Sequence, residues 1–123
     1  DVTIVSFGKI IKEAYKAADE LAKDGISVEI IDLRTVRPLD HDTIIESVKK
    51  TNRLIILEES WPFGSVSTEI TYRIQDEAFD YLDAPVKRIT TADTPAPYSP
   101  VLLEAWIPNS NDVVKAVKEI LKK

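Results

Sequence analysis

The spacing of apolar and polar positions changes several times along the 123-residue chain, and each change marks an element. Val2 to Phe7 is a β-branched run ending at Gly8, which reads as a short buried strand. Ile10, Ile11, Ala14, Ala17, Ala18 and Leu21 then recur at helical spacing, and Gly25 closes that helix behind Lys23 and Asp24. Val28 to Leu33 is a second strand. Asp40 is placed to cap a helix whose inward face holds Ile44, Ile45 and Val48. Leu54 to Leu57 is apolar without interruption, as expected of a strand covered on both faces. After Gly64, the stripe Val66, Ile70, Ile74, Ala78 and Tyr81 predicts a further helix. Ala84-Pro85 ends it, and Val86 to Thr90 supplies a fourth strand. A last helix carries Val113, Val114, Val117, Ile120 and Leu121 inward, with Asn109 and Asn111 available as caps. This alternation predicts an α/β fold: a mostly parallel sheet of four to five strands with helices on both faces.

The segment from Thr91 to Pro108 breaks the rhythm. It holds four of the seven prolines, Pro95, Pro97, Pro100 and Pro108, together with Tyr98, Val101, Leu102, Leu103 and Trp106. A flexible linker would not carry such aromatic and branched residues. The composition predicts an ordered, proline-stiffened loop lying on a surface, either of its own domain or of a neighbouring subunit.

Composition narrows the chemistry. There is no cysteine, so disulfides, thiolate nucleophiles and Cys-ligated zinc are excluded. A single histidine, His41, leaves no His-pair metal site and makes any Ser-His-Asp triad depend on it alone. A net charge of −5 argues against a nucleic-acid or anionic-membrane surface. No apolar stretch approaches the roughly 20 residues that span a bilayer. Methionine is absent, and Asp1 leads almost directly into a strand, so the chain reads as one domain, residues 1–123, of something longer.

Four clusters are candidate chemistry. Arg34, Arg37 and Asp40 could form an anion site, since guanidinium forks match phosphate. They equally suit a crossover turn in which the arginines pair with Asp32, Asp40 or a neighbouring subunit, Pro38 fixes the turn and Asp40 caps the helix. The structural or interfacial reading is the more economical. Glu58 and Glu59 end a buried strand, where α/β proteins place functional groups, but no third oxygen ligand stands at motif spacing. His41 falls at the first helical position, where a charged imidazole opposes the helix dipole, and it makes a poor general base. Gly64-Ser65-Val66-Ser67 opens a helix and could hold an anion on backbone N–H groups; a serine N-cap, Ser65 or Ser67, explains it better. Lys115, Lys118, Lys122 and Lys123 complement the last helix dipole and read as a solvated face.

Several of these stretches together carry a resemblance. Arg34-Thr-Val-Arg37-Pro38-Leu-Asp40, Glu58-Glu59-Ser-Trp61-Pro62, Ala78-Phe-Asp-Tyr-Leu-Asp83-Ala-Pro85 and Ala92-Asp-Thr-Pro-Ala-Pro-Tyr98 follow one another over nearly the whole chain. The set resembles the C-terminal domain of the transketolase superfamily, most closely that of E1 β subunits of 2-oxo acid dehydrogenase complexes, pyruvate type first. Transketolase or deoxyxylulose-phosphate synthase C-terminal domains, and a stand-alone engineered domain without activity, are the alternatives. The resemblance implies that thiamine diphosphate and magnesium serve the parent enzyme but bind outside this domain, which would carry no catalytic, cofactor or metal residue. It implies assembly with the rest of the β subunit and with the α subunit into an α2β2 tetramer. It also implies docking to an E2 acyltransferase, with Asp83, Leu121, Lys122 and Lys123 as contact residues. The corresponding location is the bacterial cytoplasm or the mitochondrial matrix. Arg34, Arg37, Pro38, Asp40, Glu59, Trp61 and Pro62 would then be structural or interfacial. The chain departs from the family pattern where Gly-Val-Gly-Ala-Glu-Ile becomes Ser65-Val-Ser67-Thr-Glu-Ile70, and where Thr-Gly-Ala-Asp becomes Thr90-Thr91-Ala-Asp93. Packing at the helix start is expected to differ there.

Overall fold

The computed structural model describes residues 1–122. Four strands, β1 (Val2–Ser6), β2 (Val28–Asp32), β3 (Leu54–Leu57) and β4 (Lys87–Ile89), form one sheet in the order β2-β1-β3-β4, and every pairing is parallel. Five helices connect and flank them: α1 (Ile11–Lys23), α2 (His41–Thr51), α3 (Val66–Ala78), α4 (Pro100–Trp106) and α5 (Ser110–Leu121).

Side-chain alternation along the two inner strands divides the core into two layers. Val2, Ile4, Ile55 and Leu57 face α1 and α5, while Val5, Leu54 and Ile56 face α2 and α3. β1 and β3 are buried along their whole length, whereas β2 is half-buried and β4 is a three-residue edge. The uninterrupted Leu54–Leu57 run therefore has the cause its pattern predicted, coverage on both faces.

Local signals act where the pattern placed them. Asp40 caps α2: its Oδ1 accepts from the Thr43 backbone N–H at 3.2 Å and its Oδ2 from the Thr43 hydroxyl at 2.7 Å. Those two bonds, the hydroxyl first, hold its carboxyl below the usual carboxylate range. Asn109 caps α5 in a capping box with Asp112, and Glu13 of α1 accepts from the Ser110 N–H at 3.0 Å, tying the two helices together.

Three expectations are corrected. The stripe ending at Tyr81 does not continue as α-helix; α3 stops at Ala78, a 3-10 turn covers Phe79–Tyr81, and Tyr81 is exposed. The strand expected over Val86 to Thr90 is limited to three residues because β3 offers only Ile55 to Leu57 as partners. The segment after Thr91 is ordered but not wholly loop: Pro100 occupies the first helical turn of α4, where a missing N–H costs nothing.

At the opposite end of the sheet from the strand C-termini, a buried hydroxyl network replaces apolar packing. Thr3 of β1 meets Ser47 and Thr51 of α2, each at 2.7 Å, and Ser47 donates to Glu29 of β2, also at 2.7 Å. The Lys50 ammonium and then the Ser47 hydroxyl hold the Glu29 carboxyl below the usual carboxylate range. A depressed folded-state pKa stabilises above the unfolded value of about 4.3, and that contribution disappears as pH falls through the folded value. Glu29→Gln should therefore flatten the loss of stability on acidification: urea midpoints followed from neutral pH to about pH 3 should fall less steeply in the variant. Equal slopes would show that Glu29 is not coupled to folding.

Candidate functional site

The C-terminal strand ends, where this architecture places ligands, carry most of the residues singled out from the sequence. In the β2–α2 crossover, Arg34 pairs with Asp32 at 3.2 Å and remains largely exposed. The Thr35 hydroxyl donates to the Pro38 carbonyl at 2.8 Å, and the Arg37-Pro38 bond is cis. Asp40 is engaged by Thr43 as described, so it is unavailable as a partner in an Arg–Asp site. Arg37 pairs with neither aspartate; it faces a cleft toward α3. His41 Nε2 lies 3.5 Å from Asp42 and 4.0 Å from Glu77, in the α2–α3 groove and away from any nucleophile.

Glu58 and Glu59 are consecutive but have different surroundings. Glu59 is exposed, whereas Glu58 is wholly buried. The Glu58 Oε2 accepts from the Ser67 backbone N–H at 3.1 Å and its Oε1 from the Ser67 hydroxyl at 2.5 Å. Arg88 Nη1 donates to the same Ser67 oxygen at 3.2 Å and to the Pro62 carbonyl at 2.8 Å. Ser65 occupies the N-cap position of α3 without capping a backbone N–H; its hydroxyl instead meets the hydroxyl of Ser67, inside the helix, at 2.9 Å. The serine cap expected from the sequence is thus supplied from a distance by Glu58. The anion-binding potential of this helix start is real, and the protein's own carboxylate satisfies it.

Beside this node, two indoles meet one carbonyl: Trp61 and Trp106 both donate Nε1–H to the Thr94 oxygen at 2.9 Å. Thr91 adds two bonds to the Ser60 carbonyl, from its N–H and its hydroxyl, each 3.0 Å. These contacts fix the proline-rich segment onto the β3–α3 turn. They leave α4 without a single buried residue; Val101 is 76% exposed, and Tyr98, Leu102 and Leu103 are also open to solvent. Phe63 nearby in sequence is 90% exposed.

The residues expected to contact an acyltransferase do not converge. Asp83 lies 3.5 Å from Arg53 and lines an apolar groove of about 440 Å³ with Phe79, Leu82, Pro85 and Val86 beside α3. Leu121 instead packs into the α1–α5 layer on the other face, and Lys122 is exposed at the end of α5. Lys123 lies outside the described residues. Phe79, the most exposed large residue of the Asp83 groove, was missed because an aromatic at a helix end has no distinctive spacing. Among the described residues, no group of three or more His, Asp or Glu side chains is arranged to hold a metal. Among the described residues, no helix is long and apolar enough to cross a membrane.

With that geometry established, comparison with known proteins is informative. Residues 1–113 match the family of the transketolase C-terminal domain. The chain is 54% identical over its full length to a pyruvate dehydrogenase E1 component subunit beta of Rhizobium meliloti, covering 27% of that subunit. It is 50% identical over 97% of its length to the Rickettsia felis subunit, covering 36% of it, and 46% identical over its full length to the mitochondrial subunit of Dictyostelium discoideum, covering 35%. The chain therefore spans roughly a third of the length of these relatives. Among solved structures, a split-gene transketolase in an inactive β4 tetramer superposes with a TM-score of 0.84 at 28% identity, over 98% of this chain and 38% of that one. The 2-oxoglutarate:ferredoxin oxidoreductase of Magnetococcus marinus shares the fold, with a TM-score of 0.66 at 16% identity over 99% of this chain and 18% of its own. The chain belongs to the transketolase C-terminal domain family, and it is similar from end to end to pyruvate dehydrogenase E1 β subunits.

Proposed function

We propose that this domain is the assembly and interface module of a thiamine-diphosphate-dependent E1 β subunit acting on a 2-oxo acid, pyruvate in the first instance. The parent reaction would be decarboxylation of the 2-oxo acid with acyl transfer to a lipoyl group on E2. The rest of the β subunit and the α subunit, in an α2β2 tetramer, would supply the catalytic machinery. A bacterial cytoplasmic or mitochondrial matrix setting follows from the relatives' identities.

The observation that carries this reading is the contrast between the strand ends and α4. Polar groups at the strand ends are consumed internally: Asp40 by Thr43, Arg34 by Asp32, Glu58 by Ser67. A diphosphate approaching the start of α3 would meet the Glu58 carboxylate instead of free N–H donors, so the residues present do not fit that cofactor. By contrast, α4 and the loop before it are held rigidly by the two indole bonds while presenting Tyr98, Val101, Leu102 and Leu103 outward. Ordered apolar surface without a partner in its own chain marks an interaction site.

Calorimetry of the isolated chain with thiamine diphosphate and magnesium should give no saturable binding; tight binding would overturn the division of labour. Val101→Asp/Leu102→Asp should leave the unfolding free energy from urea titration within about 0.5 kcal/mol, because both residues are exposed. Light scattering with the rest of the β subunit and the α subunit should nevertheless show that the double variant fails to join the assembly the parent chain enters. A chain that remains monomeric in every mixture would favour the stand-alone reading. The acyltransferase contact is proposed at Asp83 with the adjoining Phe79 groove, and at Leu121, Lys122 and Lys123. Asp83→Asn/Phe79→Ala should weaken capture of the assembled E1 by E2 several-fold, about 1 kcal/mol or more if these are central contacts. Unchanged capture would remove the groove from the interface.

A further inference from the structure

The crossover motif contains one cation, Arg37, that the fold leaves exposed. Arg34 and Asp40 are engaged within the turn, whereas the Arg37 guanidinium has no ion pair or hydrogen bond among the described residues. With Val36, Pro38, Leu39 and His41 it forms one wall of a cleft of about 600 Å³. Glu69 and Arg73 of α3 complete the lining. Arg73 donates only its Nε to Glu69, at 2.9 Å, so its two terminal nitrogens have no protein partner among the described residues.

Two arginines against one glutamate give this lining a charge of +1 with His41 neutral, on a chain whose net charge is −5. Val36, Pro38 and Leu39 add apolar surface to the same lining. Two guanidinium groups lining one cleft, each with unused N–H donors, match the oxygens of a carboxylate or phosphate. We propose that this cleft binds a small oxyanion, gripped between Arg37 and the terminal nitrogens of Arg73. The cleft lies apart from the exposed face of α4, since none of its lining residues belongs to that helix.

Arg34 provides an internal control, because it stands in the same turn, is exposed and carries the same charge, but does not line the cleft. The 123-residue chain would be titrated at low ionic strength with inorganic phosphate and, separately, with succinate, by calorimetry and by NMR of the arginine Nε–Hε signals. At least one probe should bind saturably and shift the Arg37 and Arg73 signals; the tighter one identifies the oxyanion as phosphate or carboxylate. Arg37→Gln should weaken binding at least about tenfold, since a charge-assisted pair is lost. Arg34→Gln should change it by no more than about twofold. Arg37→Lys, which keeps the charge but not the fork, should fall between them. Absence of saturable binding by both probes, shifts at other arginines only, or equal losses in Arg34→Gln and Arg37→Gln would each overturn the assignment.

Discussion

The buried carboxylate of Glu58 is the constraint on which the functional end of the fold depends. It stands where β3 leaves the sheet, its own N–H bonds to Ile89 of β4 at 3.0 Å, and its side chain takes both donors that Ser67 offers at the start of α3. One residue therefore sets the junction of strand, neighbouring strand and helix. A fully desolvated carboxylate is tolerated only when hydrogen-bonded on both oxygens and close to positive charge. The α3 N-terminus provides the first condition, and Arg88, acting through the Ser67 hydroxyl, contributes to the second.

Two departures from the family pattern acquire a physical role in this light. Ser67 and Thr91, like Ser65, stand where the resemblance expects glycines. Ser67 bridges Glu58 and Arg88, and Thr91 binds the Ser60 carbonyl. Both are buried, and both tie the β3–α3 turn to the strand β4 or the segment after it. The changes therefore supply hydroxyls inside the structure. They are not surface variation. Rigidity at this turn extends outward through Trp61 to Thr94 and Trp106, and so to the base of α4. The exposed face of α4 is held by bonds at its C-terminal residue, Trp106, instead of by packing beneath it.

Most of the architecture was legible because burial has a period. The continuous run Leu54–Leu57 and the helical stripes of α1, α2 and α5 place their residues where the core needs them. The caps Asp40 and Asn109 were readable because they act within three residues of themselves. The helix α4 was not legible, since its apolar residues face water and no periodic inward stripe exists to announce it. Tyr81 extended a stripe past the true helix end because aromatic spacing alone does not distinguish a 3-10 turn. At the candidate sites, Glu58 looked like half of a carboxylate pair. Its true partner lies nine residues ahead and depends on a turn that sequence spacing does not reveal. The link between Trp61, Thr94 and Trp106 was invisible for the same reason: it joins segments distant in sequence through one backbone oxygen.

The family motifs thus shape a scaffold in which Asp40, Arg34 and Glu58 have partners inside the fold, while the apolar face of α4 and the cleft beside Arg37 stay open to solvent. The most direct test is substitution of the residue that does the satisfying. Glu58→Gln is nearly isosteric but replaces one accepting oxygen with an N–H2 donor facing the Ser67 hydroxyl. Urea unfolding should show a loss of about 1–3 kcal/mol, with faster amide exchange at Ser67 and along the first turn of α3. Unchanged or increased stability, with protected amides at the start of α3, would contradict the structural role assigned to Glu58.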